Sequence, residues 1–122
     1  SARQVYETIK PKATPGFERI LAGDYPIEMK RWALLGLIGN LGSQACVDRL
    51  MQLFPDKFRD RLTKIVQGGY EMGMDRDEVY LALGKPSRTR AADGGDEEWD
   101  YDDLRKVLVF RGGILASVED LD

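Results

Sequence analysis

The fold is decided by the stretch MGMDRDEVYLALGKP, residues Met72–Pro86, because it predicts a short helix with both ends defined. Asp75 and Glu78 form a capping-box pattern, in which each side chain accepts a hydrogen bond from the backbone N–H of the other residue. Gly84 accepts the positive φ that ends a helix, and Pro86 cannot continue one. The stripe predicted to be buried consists of Val79, Ala82 and Leu83.

The residues after this helix switch to the two-residue alternation that is typical of β-strands. Trp99 and Tyr101 alternate with acids, so both aromatic rings face one side of their strand. Leu108 and Phe110 likewise share one face of the next strand. The predicted runs are Ser87–Ala91, Glu98–Tyr101, Arg105–Phe110 and Ile114–Val118, with turns at Asp93–Asp96 and Arg111–Gly113.

The last of these runs is predicted to carry one apolar side, formed by Ile114, Ala116 and Val118. Each strand, like the preceding helix, is then predicted to have a single apolar face. Packing the helix on an antiparallel meander buries all of these faces at once. We therefore predict a helix packed on a three- to four-stranded antiparallel sheet for residues 68–122.

The first half of the chain carries the apolar spacing of helices instead. Thr14 is a predicted N-cap with Pro15 at the first helical position, and Gly23 ends that helix. A second helix is predicted from Ile27–Ile38, where the GNLG sequence of Gly39–Gly42 breaks it, because Gly and Asn accept positive φ.

Two further amphipathic helices are predicted to complete this half. Ser43 is placed to cap the third helix, and Pro55 restarts the pattern until Gln67–Gly69 ends it. The fold class is therefore predicted to be α+β, with helical hairpins in residues 1–67 ahead of the helix and sheet of residues 68–122. The predicted buried stripes are Val47, Leu50, Met51 and Phe54 in the third helix, and Phe58, Leu62 and Ile65 in the fourth.

The composition argues against most enzyme chemistries. The chain has no histidine and a single cysteine, Cys46, which excludes His-based triads, His–metal clusters and an intramolecular disulfide. The Cys46 thiol lies beside an apolar stripe and is predicted to be buried and inert, because a reactive thiol needs a basic partner. We therefore predict no catalytic residue, no cofactor and no metal site.

The net charge and the hydropathy of the chain limit the classes of partner that it can have. The 18 basic and 21 acidic residues leave a net charge of −3. Without a clustered excess of Lys and Arg, nucleic acid is not a predicted partner. The longest apolar run, Trp32–Leu41, has about half of the ~20 residues that a membrane-spanning helix needs, which predicts no transmembrane segment. Another protein is the predicted partner.

An acidic hairpin is the feature most compatible with a bound cation. Its carboxylates crowd an eleven-residue span and could gather a hard ion such as calcium. The spacing differs from that of an EF-hand loop, and a solvated hairpin face is the competing interpretation. The acids concerned are Asp93, Asp96, Glu97, Glu98, Asp100, Asp102 and Asp103.

The first strand pair supplies a candidate interaction surface. Trp99 and Tyr101 suit interface hot spots, because their rings combine a large area with a polar tip. Core packing under the helix is the competing interpretation, and it is favoured by their shared face at strand spacing. The candidate interaction surface comprises Arg88, Arg90, Glu98, Trp99 and Tyr101.

An ordered set of motifs runs through residues 68–119. The set consists of Gly73-Met74-Asp75, Val79, Leu83-Gly84-Lys85-Pro86, Trp99-Asp100-Tyr101 and Phe110-Arg111-Gly112-Gly113. In this order it resembles the SmpA/OmlA (BamE-like) domain. The resemblance implies an envelope assembly subunit or a small binding module, located in the cell envelope or periplasm, with the cytoplasm as the alternative.

The segment MKRWALLGLIGNLGSQACVDRL, residues Met29–Leu50, resembles a HEAT-type helical repeat. Its small residues Ala33, Gly36 and Ala45 would let two antiparallel helices approach closely. A generic helical hairpin explains the same pattern. The HEAT-like resemblance implies a recognition scaffold.

Two functions of different class remain open at the level of sequence. The first is a non-catalytic protein–protein interaction or assembly module, supported by the missing catalytic residues and by both resemblances. The second is a small ligand- or cation-binding domain, or an enzyme, that uses the carboxylates of the acidic hairpin.

Overall fold

The computed structural model describes residues 13–122 and has an α+β fold, as predicted. In this part of the chain, five helices come first and a four-stranded antiparallel sheet follows. The first 12 residues of the predicted helical region 1–67 lie outside the described residues. The helices are α1 (13–22), α2 (Ile27–Leu41), α3 (Ser43–Leu53), α4 (Arg59–Val66) and α5 (Arg76–Leu83), and the strands are β1 (Arg88–Ala91), β2 (Glu97–Tyr101), β3 (Lys106–Arg111) and β4 (Ile114–Asp120).

The sheet is a meander in which each strand pairs with the next in the order β1-β2-β3-β4. Trp99 lies opposite Leu108, and Leu108 lies opposite Val118, so these side chains share one face. We call this the inner face, because it packs against the helices. The opposite, outer face carries the alternate residues of each strand.

One hydrophobic core joins the helices to the inner face of the sheet. The rings of Trp99 and Phe110 lie 4.7 Å apart between centroids. At the edge of this contact, the Tyr101 hydroxyl donates a 2.9 Å hydrogen bond to the carbonyl oxygen of Gly84, the residue that ends α5. The sheet and α5 therefore hold each other in place.

The capping box predicted at the start of α5 is present. The Glu78 backbone N–H donates to Asp75 Oδ1 over 2.8 Å, and the Asp75 backbone N–H donates to Glu78 Oε1 over 3.0 Å. Gly84 ends the helix with φ of 86°, as expected for a glycine stop. The same two residues that define the ends of α5 in sequence define them in space.

The predicted alignment of Phe58 with the buried stripe of α4 is wrong. Helix α4 begins only at Arg59, and Phe58 is an extended N-cap residue with ψ of 149°. Leu62 and Ile65 are buried, whereas the Phe58 side chain is 83% exposed. An extended residue lies off the helical spiral, so the three-to-four-residue spacing does not apply to it.

A β-bulge overturns the predicted apolar side of β4. Val109 lies opposite Ser117, but Phe110 lies opposite Leu115, so Ala116 is an extra residue in the strand. The bulge turns Leu115 inward, where it is 1% exposed, and leaves Ile114 43% exposed.

Two predicted caps are also wrong. Residue 13 is already helical, so Thr14 lies inside α1, where its Oγ1 accepts a 2.9 Å hydrogen bond from Asn40 Nδ2. Gly42 is the N-cap of α3, and Ser43 is its first helical residue. None of the helices described for residues 13–122 combines the length and the hydropathy needed to cross a membrane.

Candidate functional site

The structure divides the predicted interaction surface between the two faces of the sheet. Arg88, Arg90 and Glu98 lie on the outer face, as the strand register requires. Trp99 and Tyr101 lie on the inner face and are only 7% and 6% exposed. Core packing, the competing interpretation, therefore describes the two aromatic residues, and the outer face keeps the three charged ones.

A compact ion-pair network covers part of this outer face. Asp100 is 1% exposed, and its Oδ2 accepts hydrogen bonds from Arg88 Nε at 3.1 Å and from Arg90 Nη1. Arg90 also pairs with Glu98 at 2.9 Å, and Arg88 pairs with Asp102. Within the described chain, Asp100 Oδ1 has no hydrogen-bond partner.

The ion pairs of Asp100 make stability depend on pH. The hydrogen bond from Arg90 lowers the pKa of Asp100, burial opposes this shift, and Arg88 lowers the pKa further. A carboxyl group whose pKa is lowered by folding adds stability above its unfolded pKa of about 4 and loses it as the pH falls through the folded value. The contribution is therefore present at neutral pH and disappears in acid.

We expect Asp100→Asn to be less stable than wild type at pH 7, because the neutral amide loses the charge that both guanidinium groups contact. The difference should begin to shrink as the pH falls below about 4, where Asp100 becomes protonated in the unfolded wild type, and should shrink further until the folded carboxylate is protonated at lower pH. Urea denaturation of both proteins at several pH values measures this. A stability difference that is independent of pH would show that Asp100 acts through shape rather than charge.

Other acids of the hairpin also face arginine side chains. Glu97 pairs with Arg76 at 3.1 Å, and Asp96 pairs with Arg111 at 3.6 Å. Across residues 13–122, no group of three or more His, Cys, Asp or Glu side chains is arranged to hold a metal ion. The carboxylates that suggested a cation site are thus largely engaged in ion pairs with neighbouring strands and α5.

Cys46 is buried, as predicted. Its side chain is fully covered in α3. Burial raises the pKa of the thiol to about 11, so the thiol is protonated at neutral pH. A protonated, covered thiol is a poor nucleophile and a poor metal ligand.

The most exposed apolar side chains of α2 form a surface that the sequence analysis did not identify. Met29, Trp32 and Leu35 occupy successive turns and are 43%, 59% and 51% exposed. We call these three residues the α2 ridge. Phe17 of α1 supports it from the side, with its ring edge-on to Trp32 at 5.2 Å between centroids.

A glycine makes room for the supporting ring. A Cβ atom on Gly36 would come within 2.4 Å of the Phe17 ring, so only glycine leaves room for this ring against α2. On the other side of the helix, Ala33, Leu34 and Leu37 are buried in the core. Helix α2 is therefore apolar on its buried side and on its exposed side.

The sequence does contain a signal for the α2 ridge. An ordinary surface helix has an apolar stripe on the side that faces the core and polar residues on the opposite side. The run Trp32–Leu41 has no charged residue at any position, although only one side of the helix is needed for the core. An apolar excess of this kind indicates a second buried side, which the described chain leaves uncovered.

A cavity of about 150 Å³ lies between the helices, with α5 closing one side. Its lining is mostly apolar and also includes Lys30, Lys57 and three acids, Asp75, Asp77 and Glu78. Lys57 Nζ lies 3.2 Å from Glu78 Oε2, which joins the lining to the capping box of α5. The apolar wall includes Leu21, Leu34, Leu50, Phe54, Leu62 and Ile65.

Glu78 is the buried charge of this region, with 6% exposure. Burial raises the pKa of Glu78, but the Asp75 N–H, Lys57 and Arg61 together outweigh it, so the net pKa is lowered. Arg61 Nη1 donates to Glu78 Oε1 over 3.1 Å. The carboxylate is therefore charged at neutral pH and is held by three donors.

Comparison of the chain with protein-family models, curated proteins and solved structures finds no match. The resemblances to the SmpA/OmlA (BamE-like) domain and to a HEAT-type repeat therefore stay predictions. Function has to be inferred from the side chains that the fold exposes, buries and pairs.

Proposed function

We propose that this protein is a non-catalytic interaction module that binds a partner protein through the α2 ridge. The observation that carries the proposal is the exposure of three large apolar side chains, Met29, Trp32 and Leu35, on successive turns of one helix. Contiguous exposed apolar patches on a folded protein mark interaction sites, whereas scattered single residues do not. Tyr25, four residues before Met29, is also exposed, at 45%.

Trp32 is the expected centre of the contact. Tryptophan is among the residues most enriched in interface hot spots, because a buried ring removes a large apolar area from water. At 59% exposure, most of this ring is still available for burial by a partner. Phe17, whose ring lies against Gly36, packs edge-on to the Trp32 ring, which reduces the entropy that Trp32 loses on binding.

The shape of the surface favours a helix as the bound element. Residues at i, i+3 and i+6 form one of the ridges by which α-helices pack into each other's grooves. Gly39, one turn beyond Leu35, is exposed and adds no side chain to obstruct close approach. Asp24 and Glu28 are exposed at the amino-terminal end of the ridge. We therefore propose an amphipathic partner helix that carries Lys or Arg at the end meeting these acids.

The reactive groups of the chain support a binding role rather than a catalytic one. The Cys46 thiol is covered and protonated at neutral pH. The Asp100 and Glu78 carboxylates are each bound by two basic side chains. Groups engaged in this way stabilise the fold and are poorly placed to attack or protonate a substrate.

Capture of the partner from the native cell tests the proposal. The full chain is used as bait in three forms: wild type, Trp32→Asp, and Leu104→Asp as the matched control, because Leu104 is an exposed leucine on the sheet side with 42% exposure. We expect wild type and Leu104→Asp to retain the same protein and Trp32→Asp to lose it. An aspartate on the ridge would have to be buried in the interface without an opposite charge, which is costly.

The bait variants must fold for the comparison to count. Both substituted side chains are exposed, so circular dichroism and thermal unfolding should match wild type closely. Retention of the same partner by folded Trp32→Asp, at wild-type yield, would contradict the proposed surface.

A further inference from the structure

The cavity between the helices has an apolar floor and a charged mouth. Leu34, Leu50 and Leu62 line it and are each no more than 2% exposed, so they form its floor. Lys30 and Asp77 also line it but are half-buried and exposed, respectively, which places them at its mouth. Binding sites for small molecules likewise combine an apolar lining with a few polar groups that orient the ligand.

The volume of the cavity limits the size of the group that the floor can hold. A cavity of about 150 Å³ lined by Leu, Ile and Phe side chains accepts a benzene ring. An apolar group of that size leaves water and gains dispersion contacts with the buried leucines. The floor therefore suits a compact apolar body of about six carbon atoms.

The buried acid of the lining is already compensated. Both Lys57 and Arg61 form ion pairs with Glu78. Arg61 is also paired with Glu71, so two basic and two acidic side chains balance one another. This group of four therefore leaves no net charge for a ligand to neutralise.

Three other charged side chains of the lining carry an excess of negative charge. They are Lys30, Asp75 and Asp77, and none of them forms an ion pair among residues 13–122. Asp75 Oδ1 accepts the backbone N–H of Glu78, a contact that leaves the carboxylate without a cationic partner. Two carboxylates thus stand against one ammonium group, and a positively charged ligand complements them.

We propose that this cavity binds a small amine, with its apolar body on the leucine floor and its ammonium group at Asp75 and Asp77. The inference goes beyond the proposed function, because it uses a different side of α2. By helical periodicity, Ile27, Lys30 and Leu34 of the cavity lining lie on the side of α2 opposite the α2 ridge. Substitutions can therefore affect the two sites separately.

Methyl NMR titration of the full chain, labelled at its Leu and Ile methyl groups, tests the inference. The probes are benzylamine, benzyl alcohol and benzoate, which share one ring and are cationic, neutral and anionic at neutral pH. We expect benzylamine to shift the methyl signals of Leu34, Leu50 and Ile65, which line the cavity. Its dissociation constant should be at least about fivefold lower than that of benzoate, with benzyl alcohol between the two.

Two variants separate the mouth of the cavity from its floor. Asp77→Asn should weaken benzylamine binding about fivefold and leave benzyl alcohol unaffected, as for loss of one exposed ion pair. Ile27→Phe should weaken both probes, because a larger side chain at this half-buried position reduces the cavity volume. Asp103→Asn and Ile114→Phe make the same changes at exposed positions outside the lining, and both should bind as wild type does, as should Trp32→Asp.

Three results would overturn the inference. If benzylamine leaves the methyl signals of the lining unchanged, it does not enter the cavity. If benzoate or benzyl alcohol binds as tightly as benzylamine, the mouth does not select a cation. If a folded Asp77→Asn variant keeps wild-type affinity for benzylamine, the ammonium group lies elsewhere.

Discussion

Trp99→Ala is expected to lower the free energy of unfolding by about 3–5 kcal/mol, the cost typical of removing a large buried aromatic ring. Trp99 is 7% exposed and packs against Phe110 at 4.7 Å between ring centroids. Its indole N–H also donates to the Glu97 carboxylate, so the substitution removes a hydrogen bond together with the ring. Urea denaturation measures the change.

The second tryptophan provides the matched control. Trp32→Ala removes the same side chain from a position that is 59% exposed, and we expect a cost below about 1 kcal/mol. The pair of variants thus separates core packing from surface contact within one protein. Equal destabilisation by the two substitutions would contradict the assignment of Trp99 to the core and Trp32 to the surface.

Glu78→Ala is expected to cost about 2–3 kcal/mol, because it removes half of a capping box and the partner of two basic side chains. Glu78 is only 6% exposed, whereas Arg61 and Lys57 are 25% and 33% exposed in their side chains. Since water can still reach both cations, the cost should stay below that of a fully buried broken pair. Chemical denaturation at neutral pH checks the value.

Glu71 supplies the control for this second prediction. It contacts the same arginine, with its Oε1 2.6 Å from Arg61 Nε, but its side chain is 41% exposed. Glu71→Ala should therefore cost below about 1 kcal/mol, as surface ion pairs usually do. If Glu71→Ala were as costly as Glu78→Ala, burial and capping would not be the source of the Glu78 effect.

The pH dependence of the Glu78 effect follows from its lowered pKa. A carboxyl group with a lowered folded pKa stabilises the fold above its unfolded value and loses that contribution in acid. The cost of Glu78→Ala should therefore be largest near neutral pH and smaller below about pH 4.

Those parts of the fold that depend on local rules could be predicted from the sequence. The ends of α5 follow from Asp75, Glu78 and Gly84, because caps and glycine stops act within a few residues. The inward orientation of Trp99 and Tyr101 follows from strand alternation, which is equally local. The order of the elements, helices followed by an antiparallel sheet, could thus be predicted from the sequence.

The errors arise where the backbone departs from regular periodicity. Phe58 sits in an extended N-cap, so its spacing to Leu62 carries no information about its orientation. The extra residue Ala116 leaves Val118 on the inner face but makes Leu115, rather than Ile114, face inward. Neither departure has a sequence signature as clear as a Pro or a Gly pair, and each is fixed by packing between distant segments.

The candidate site was harder to predict than the fold. Alternation along β2 predicted that its acids lie on the face opposite Trp99 and Tyr101, but the pairing of Arg88 and Arg90 with Asp100 depends on the register between β1 and β2. The α2 ridge was missed in the sequence analysis because a long apolar run such as Trp32–Leu41 is normally interpreted as part of the buried core. Its exposure depends on how much of α2 the rest of the chain covers.

The central claim is that partner binding covers the α2 ridge. Fluorine NMR of protein labelled with fluorotryptophan tests it most directly, because the chain has 2 tryptophans and Trp99→Phe assigns their signals. On addition of the captured partner, we expect the Trp32 signal to shift and lose its sensitivity to solvent isotope, while the Trp99 signal stays unchanged. A complex in which Trp32 remains as accessible to solvent as in the free protein would contradict the claim.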